Sequence, residues 1–353
     1  MQEIKKLFAN LLVITITITL CIVALEWGVR IILPAYDPSG HIKFTRSPNG
    51  VTLALDRGAF RQIKNTGDYN VIVNINEFGF RDKKLVSKAR EDDVYVVGDS
   101  YSFGWGVEEG ARYSDQFEKE LKGQKVYNIS ISTDFNGYLE LIHYAEKLGG
   151  RAKHLIVGVC MENDLRIYGM QINKHKNEEL IRPTQHTTSF NDWILSSKHY
   201  LSDKSAAYFL ITSFIHQSQV LRGFAVKLGM ITPNLDGVPQ TVFDQSVVES
   251  SANRLKELFE GKDGVVLIIP SRSLWVGRDS QRRIATKIHE EFVAAVRNRG
   301  LSVIDPRFDM ETGGNPMRYH FVHDGHWTAM GHELAAKMLK RYFEGKVGIV
   351  ESN

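Results

Sequence analysis

The stretch that decides the reading is "EDDVYVVGDSYSFGWGV", residues 91–107. Acidic residues give way to the apolar run Val94–Val97, which stops at Gly98-Asp99-Ser100 and is followed by glycines and aromatics. A short continuous apolar run closed by turn residues is the signature of a strand buried on both faces. A serine presented where such a strand ends is a candidate nucleophile. It needs a base, an orienting acid and an oxyanion site elsewhere in the chain.

Downstream of residue 91 the pattern repeats. "KVYNISIS", "HLIVGVCM", "GVVLIIPS" and "LSVIDPR" read as four further strands. Helical patterns lie between them, "RYSDQFEKELKG" closed by Gly123, "GYLELIHYAEKLGG" and "RRIATKIHEEFVAAVRNRG". In the last of these, Ile284, Ile288, Phe292 and Val296 recur on one face. A final helix is expected from about Thr328 to Phe343, with Met330, Leu334, Met338 and Leu339 turned inward. Apolar strands alternating with amphipathic helices predict a three-layer α/β/α domain of flavodoxin-like type on a five-stranded parallel sheet. Ligands of such sheets bind at the carboxyl ends of the strands, where Ser100, Asn163 and the segment after the fifth strand are expected to converge.

The flanks divide the chain further. "LFANLLVITITITLCIVAL", Leu7 to Leu25, is nineteen residues without a charge, about the length that crosses a bilayer as a helix. Lys5 and Lys6 precede it, predicting a cytoplasmic N-terminus and an exported body. The threonines can bond back to helix carbonyls, and no A-x-A-like cleavage site follows. Residues 1–34 are therefore expected to be a membrane anchor. Residues 35–90 read as a small β-rich segment, with "GVTLAL" and "YNVIVNINEFGFRD" as strands and "KNTGD" as a turn. Residues 91–346 form the main domain, interrupted at about 165–262 by an insertion too long for one crossover. The insertion holds an apolar helix pattern, "SAAYFLITSFIHQSQVLRGFAVKLG", in which Lys204, His216 and Arg222 argue against a full membrane span.

Composition excludes some classes. The 353 residues carry a formal net charge of +3 with no basic block, so nucleic acid is not an expected partner. Cys21, in the apolar run, and Cys160, in a core strand, are expected to be separate thiols.

The base candidate is in "HFVHDGHWTAMGHELAA", residues 320–336. His326 falls where a loop becomes the final helix, and Asp324 can hold its Nδ1 proton while Nε2 faces the serine. Asn163, in "CMENDL", and the backbone amides of Ser100 and Thr133 are the expected oxyanion donors. Ser102 is a rival nucleophile, but it lies past the strand end. Asp99 is expected to brace the loop, and Asp305 is a reserve acid. The spacing of His320, His323 and His326 fits no standard zinc pattern, so no metal is expected, and His323 and His332 are read as shaping the surroundings of the base. Trp105 and Trp327 are candidates for the pocket wall or for the core.

Four blocks in order, "VVGDSYSFGWGV", "NISISTD", "ENDL" and "HDGHWTAMGH", together resemble those of the SGNH hydrolase superfamily, the GDSL-type esterases. "INEFGFRD" resembles a segment that precedes the first block in membrane-anchored bacterial members. The resemblance covers about residues 74–340 outside the insertion. It implies a Ser100–His326–Asp324 triad, an acyl-enzyme and no cofactor. It further implies an acylated carbohydrate or small ester as substrate, and a single-pass protein of the bacterial inner membrane with its body on the periplasmic or extracellular side. A polysaccharide O-acyltransferase using the same site is the first alternative, and a non-catalytic envelope scaffold or glycan-binding protein the second. Two departures stand out. Thr133 occupies the place of the usual glycine, and Asp-Gly-His replaces Asp-x-x-His, a shorter form that resembles the "DxHW" of alginate-acetylation-type relatives.

Overall fold

The computed structural model describes residues 2–48, 50–170, 197–198, 200–228 and 242–350. Nine strands are present among them: β1 Phe44–Arg46, β2 Thr52–Ala54, β3 Gly58–Ile63, β4 Asn70–Ile75, β5 Val94–Gly98, β6 Val126–Asn128, β7 His154–Cys160, β8 Asp263–Ile269 and β9 Val303–Ile304.

The sheet that carries the site has the order β6-β5-β7-β8-β9, and every pairing in it is parallel. In chain order this is 2-1-3-4-5, the flavodoxin-like arrangement, whose switch point lies between the first and third strands, here β5 and β7. Side chains alternate across the sheet. Tyr95, Val97, Leu155, Val157, Val266 and Ile268 join one core with the helices Phe135–Lys147, Gln245–Leu258 and Asp279–Asn298. Val94, Val96, Ile156, Val265 and Leu267 join the other with the helices Tyr113–Glu120 and Ala329–Val350. The expected five-stranded α/β/α sandwich is thus observed.

The elements depart from expectation at their edges. β6 and β9 are only 3 and 2 residues long. Beyond β9 the chain meets Pro306, which has no N–H to continue a ladder. The helix expected to open at Gly137 starts at Phe135, because the Asp134 carboxylate caps the amides of Asn136 and Gly137 at 2.9 and 3.2 Å. Met330 is not turned inward but 48% exposed. The buried face of the final helix is set by His332, Ala335, Ala336 and Leu339, and a residue two positions before His332 points about 200° away from it. Phe292 and Val296 of the helix Asp279–Asn298 are fully buried, with Ile288 packed beside them.

The described chain divides into two compact units. One comprises residues 42–62, 68–183 and 232–353 and contains the sheet. The other comprises residues 1–41, 63–67 and 184–231. The second contains the helix Gln2–Ile32, of which Lys6–Ile32 is long and apolar enough to cross a membrane. Thr15, Thr17 and Thr19 each donate to the carbonyl four residues earlier at 2.8 Å. The single helix pattern at 205–229 is two helices, Ala206–Gln217 and Gln219–Lys227. Ser218 separates them, its side chain capping the second by accepting from the Leu221 amide. The stretch "TPNLDGVPQ" of the insertion, 232–240, lies outside the described residues. Cys21 and Cys160 are both free.

Candidate active site

The site begins with two glycines on neighbouring strands. A Cβ added to Gly98 would lie 2.3 Å from Ser102 Oγ, and one on Gly158 would lie 2.2 Å from the same atom. Their missing side chains open a slot that Ser102 fills, and the Tyr113 hydroxyl donates to Ser102 Oγ there at 2.8 Å. Ser102 is fully buried, so the rival nucleophile is a packing residue. The Asp99 carboxylate caps the one-turn helix Ser100–Phe103 by accepting from the Tyr101 amide at 2.9 Å. Gly104, at φ +84°, ends it, a conformation that suits glycine. Ser100 is held in the first position of that turn.

His326 meets Ser100 across 226 residues of chain, with Nε2 2.7 Å from Ser100 Oγ. Its Nδ1 is hydrogen-bonded to Asp324 Oδ1, and the same carboxylate oxygen accepts the His326 amide at 3.0 Å. The short Asp-Gly-His spacing thus permits the contact, because the carboxylate binds both the ring and the backbone of the residue two positions on. A carboxylate at Nδ1 keeps the proton there and leaves Nε2 as the acceptor. The reserve acid, Asp305, is engaged elsewhere, with its Oδ2 2.7 Å from His289 Nε2.

A second tier fixes this pair. Tyr69 donates its hydroxyl to Asp324 Oδ2 at 3.3 Å, and Trp105 Nε1 donates to Tyr69 at 2.7 Å. Burial pushes the Tyr69 phenol well above its ordinary value, so it stays a donor. The His326 ring is flanked by Trp105, stacked at 5.9 Å, and by Tyr101 at 4.9 Å. Trp105 thus belongs to the site, whereas Trp327 is fully buried core.

The expected oxyanion residues follow the two strands that flank β5. Asn163 follows β7, its amide donating to the Cys160 carbonyl at 3.1 Å. Thr133 follows β6. No described residue other than glycine has a positive φ, so the β-branched side chain meets no backbone strain. Room for it comes from Gly137, where a Cβ would lie 1.9 Å from Thr133 Oγ1.

The remaining histidines diverge. His323 pairs with Asp68, His320 packs against Trp275, and His332 accepts from the Tyr113 amide at 3.3 Å. Among the described residues no three metal-binding side chains cluster. Asp99, next to Ser100 in the chain, and Asp164 are both buried, and burial raises both carboxyls. Asp164 accepts from the Tyr138 hydroxyl at 2.8 Å and the Cys160 amide at 2.9 Å.

Sequence reasoning missed three supports. Tyr69 is one. Arg272 is the second; it clasps Glu162 with Nη2 2.6 Å from Oε1 and lies directly over Gly325. Arg81, within "INEFGFRD", is the third. It is buried and donates to the carbonyls of Gly104 and Val107 in the loop behind Ser100. The only signal for Arg81 was its place in a segment of recognised resemblance.

No family profile matches the sequence, and no curated protein matches it significantly. Among solved structures, the chain is similar to a lipolytic G-D-S-L protein from Veillonella parvula at 13% identity and a TM-score of 0.37, covering 70% of this chain and 94% of that one. It is similar to a lipase/acylhydrolase from Enterococcus faecalis at 10% identity and a TM-score of 0.40, covering 72% and 96%. It is also similar to an acetylxylan esterase from Geobacillus stearothermophilus at 13% identity and a TM-score of 0.37, covering 72% and 95%.

Proposed function

We propose that this chain is a membrane-anchored serine esterase of SGNH type that removes acyl groups, acetyl foremost, from a carbohydrate or similar ester. The observation that carries the reading is the relay Ser100 Oγ, His326 Nε2, His326 Nδ1, Asp324, with its first link at 2.7 Å. Ser100 Oγ attacks the ester carbonyl carbon while His326 takes its proton, and Asp324 stabilises the imidazolium formed. Asn163 and the amides of Ser100 and Thr133 hold the oxyanion. The carbonyl reforms, the alcohol leaves with the proton from His326, and an acyl-serine remains. Water then attacks that ester with His326 again as base, releasing the carboxylic acid and free Ser100. No cofactor takes part in this scheme.

The acetyl and carbohydrate assignments rest on the "DGHW" turn and its resemblance to alginate-acetylation-type relatives. The same turn favours a second reading, in which a sugar hydroxyl replaces water. The anchor assignment rests on the exposed apolar helix Lys6–Ile32, and the assignment of the body to the side outside the cytoplasm rests on Lys5 and Lys6 before it.

The test uses the full chain in detergent. A fluorophosphonate probe should label it, and Ser100→Ala and His326→Ala should abolish labelling. With an acetylated oligosaccharide, free acetate should appear. Transfer of acetyl to an added glycan would select the second reading, and a folded protein that neither labels nor hydrolyses would be a scaffold.

A further inference from the structure

In the unit formed by residues 1–41, 63–67 and 184–231, the N-terminal helix is fastened at one depth to the insertion. The Glu26 carboxylate accepts from Ser205 Oγ at 2.7 Å and from the amides of Ala206 and Ala207 at 2.9 and 3.0 Å. It thereby caps the helix Ala206–Gln217. Arg30 donates to Glu26, to Asp37 and to the Lys204 carbonyl. From Lys6 to Glu26 an α-helix rises about 30 Å, the thickness of a bilayer's hydrocarbon core. If the helix spans, Glu26 emerges at the far interface, and Trp27, 61% exposed beside it, stands where aromatic belts form.

The first of the two helices starts from that depth, the second follows it past Ser218, and both are apolar on the outside. The first buries Ala206, Ala207, Phe209 and Ser213 and exposes Ile211 and Phe214. The second buries only Ala225 and exposes Val220 at 81%, Phe224 at 63% and Leu221, with Leu228 exposed just past its end. Such a set of large exposed apolar side chains marks an interaction surface. Residues 204–228 carry Lys204, Arg222 and Lys227 and no acidic side chain, which suits anionic headgroups.

We propose that the helices Ala206–Gln217 and Gln219–Lys227 lie in the leaflet at which the N-terminal helix emerges, with Phe214, Val220 and Phe224 dipped into its acyl boundary. The occupant of this face is the lipid surface itself, continuous with the apolar surface of the spanning helix. The proposal rests on the anchor reading above, and the experiment separates the two.

Single cysteines replace Ile16, Phe214, Val220, Phe224 or Lys337 in a full-length Cys21→Ser background, leaving buried Cys160. Each is labelled with an environment-sensitive fluorophore in vesicles of phosphatidylcholine and phosphatidylglycerol containing nitroxide lipids of graded depth. The Ile16 label should be quenched by deep nitroxides, the labels at 214, 220 and 224 by shallow ones, and the label at 337 only by aqueous iodide. Quenching at 16 with iodide-accessible labels at 214, 220 and 224 would overturn this proposal and leave the anchor standing. So would blue-shifted labels at those three sites that no lipid nitroxide reaches, since a second protein copy would then cover them. An unquenched Ile16 label would overturn the anchor and this proposal with it.

Discussion

The Tyr69 hydroxyl donates to Asp324 Oδ2 across 255 residues of chain, while the other oxygen of that carboxylate holds the His326 ring. Asp324 is therefore held from both sides, by the His326 ring and by a phenol that Trp105 fixes in turn. Tyr69→Phe keeps the ring and removes only the donor. A hydrogen bond to a charged group is worth about 1.5–3 kcal/mol, so kcat should fall by roughly tenfold or more with KM little changed. Steady-state kinetics on a soluble aryl ester would check this. A change confined to KM would show that Tyr69 touches substrate rather than the acid.

Thr133 and Gly137 form a matched pair, because the Thr133 side chain occupies the space that a Cβ on residue 137 would need. Gly137→Ala should lower activity and stability together, with an overpacking cost of about 1–3 kcal/mol. Adding Thr133→Gly should restore most of both. Thermal denaturation and kcat for the two single variants and the double would complete the cycle. Additive losses in the double variant would show that the two residues do not share that space.

Arg272 and Glu162 join the end of β8 to the end of β7, one residue before Asn163, and Arg272 also packs on Gly325 between the acid and the base. Both side chains are largely buried, at 16% and 9% exposed. Removing one partner leaves a buried charge, which costs about 3–5 kcal/mol. Arg272→Ala should therefore destabilise strongly, and Arg272→Met with Glu162→Gln should destabilise less. If the pair also positions the site, the double variant should regain stability without regaining full kcat. Equal recovery of both would restrict the pair to a structural role.

The contrast between these supports and the proposed triad explains what was legible in the sequence. Val94–Val97, Leu155–Val159 and Val265–Ile269 announce themselves because strands buried on both faces must be apolar at every position. Order along a parallel sheet then brings their ends together, so that Ser100 and Asn163 each follow one of two neighbouring parallel strands. His326 was legible because the chain offers a serine at a strand end and an Asp-x-His turn after the last strand. Tyr69 and Glu162 lie outside helices and strands, and Arg272 opens a single 3-10 turn, where no periodicity marks a residue and partners are set only by the finished fold. Met330 was misplaced for a related reason. An apolar residue in the first turn of a helix reads as core until the buried face is known. The break at Ser218 escaped notice because a serine inside a helical pattern becomes a cap only when the chain turns there.

Two buried histidines give the fold an acid-sensitive element. Burial, with Arg272 adding to it, lowers His320 to about 3. Burial, with Arg81 and Arg112 adding to it, likewise lowers His332 to about 3. Asp115 works the other way on His332, and His326 adds to the lowering at both. His332 Nδ1 accepts from the Tyr113 amide, so it is bound as the neutral ring. Both folded values lie below the ordinary 6.5. Their contribution to stability is therefore whole above pH 6.5 and is lost as pH falls from there towards 3. Well below 6.5 each histidine costs up to about 1.4 kcal/mol per pH unit. The raised carboxyls of Asp99 and Asp164 act oppositely, stabilising most at low pH and less as pH rises. His332→Gln keeps an acceptor for the Tyr113 amide and removes the titration. Unfolding of the detergent-solubilised protein followed from pH 7.5 to 5 should show stability falling in the parent and falling less steeply in the variant. Parallel slopes would mean that His332 takes up no proton on unfolding, and its neutral, buried assignment would fall.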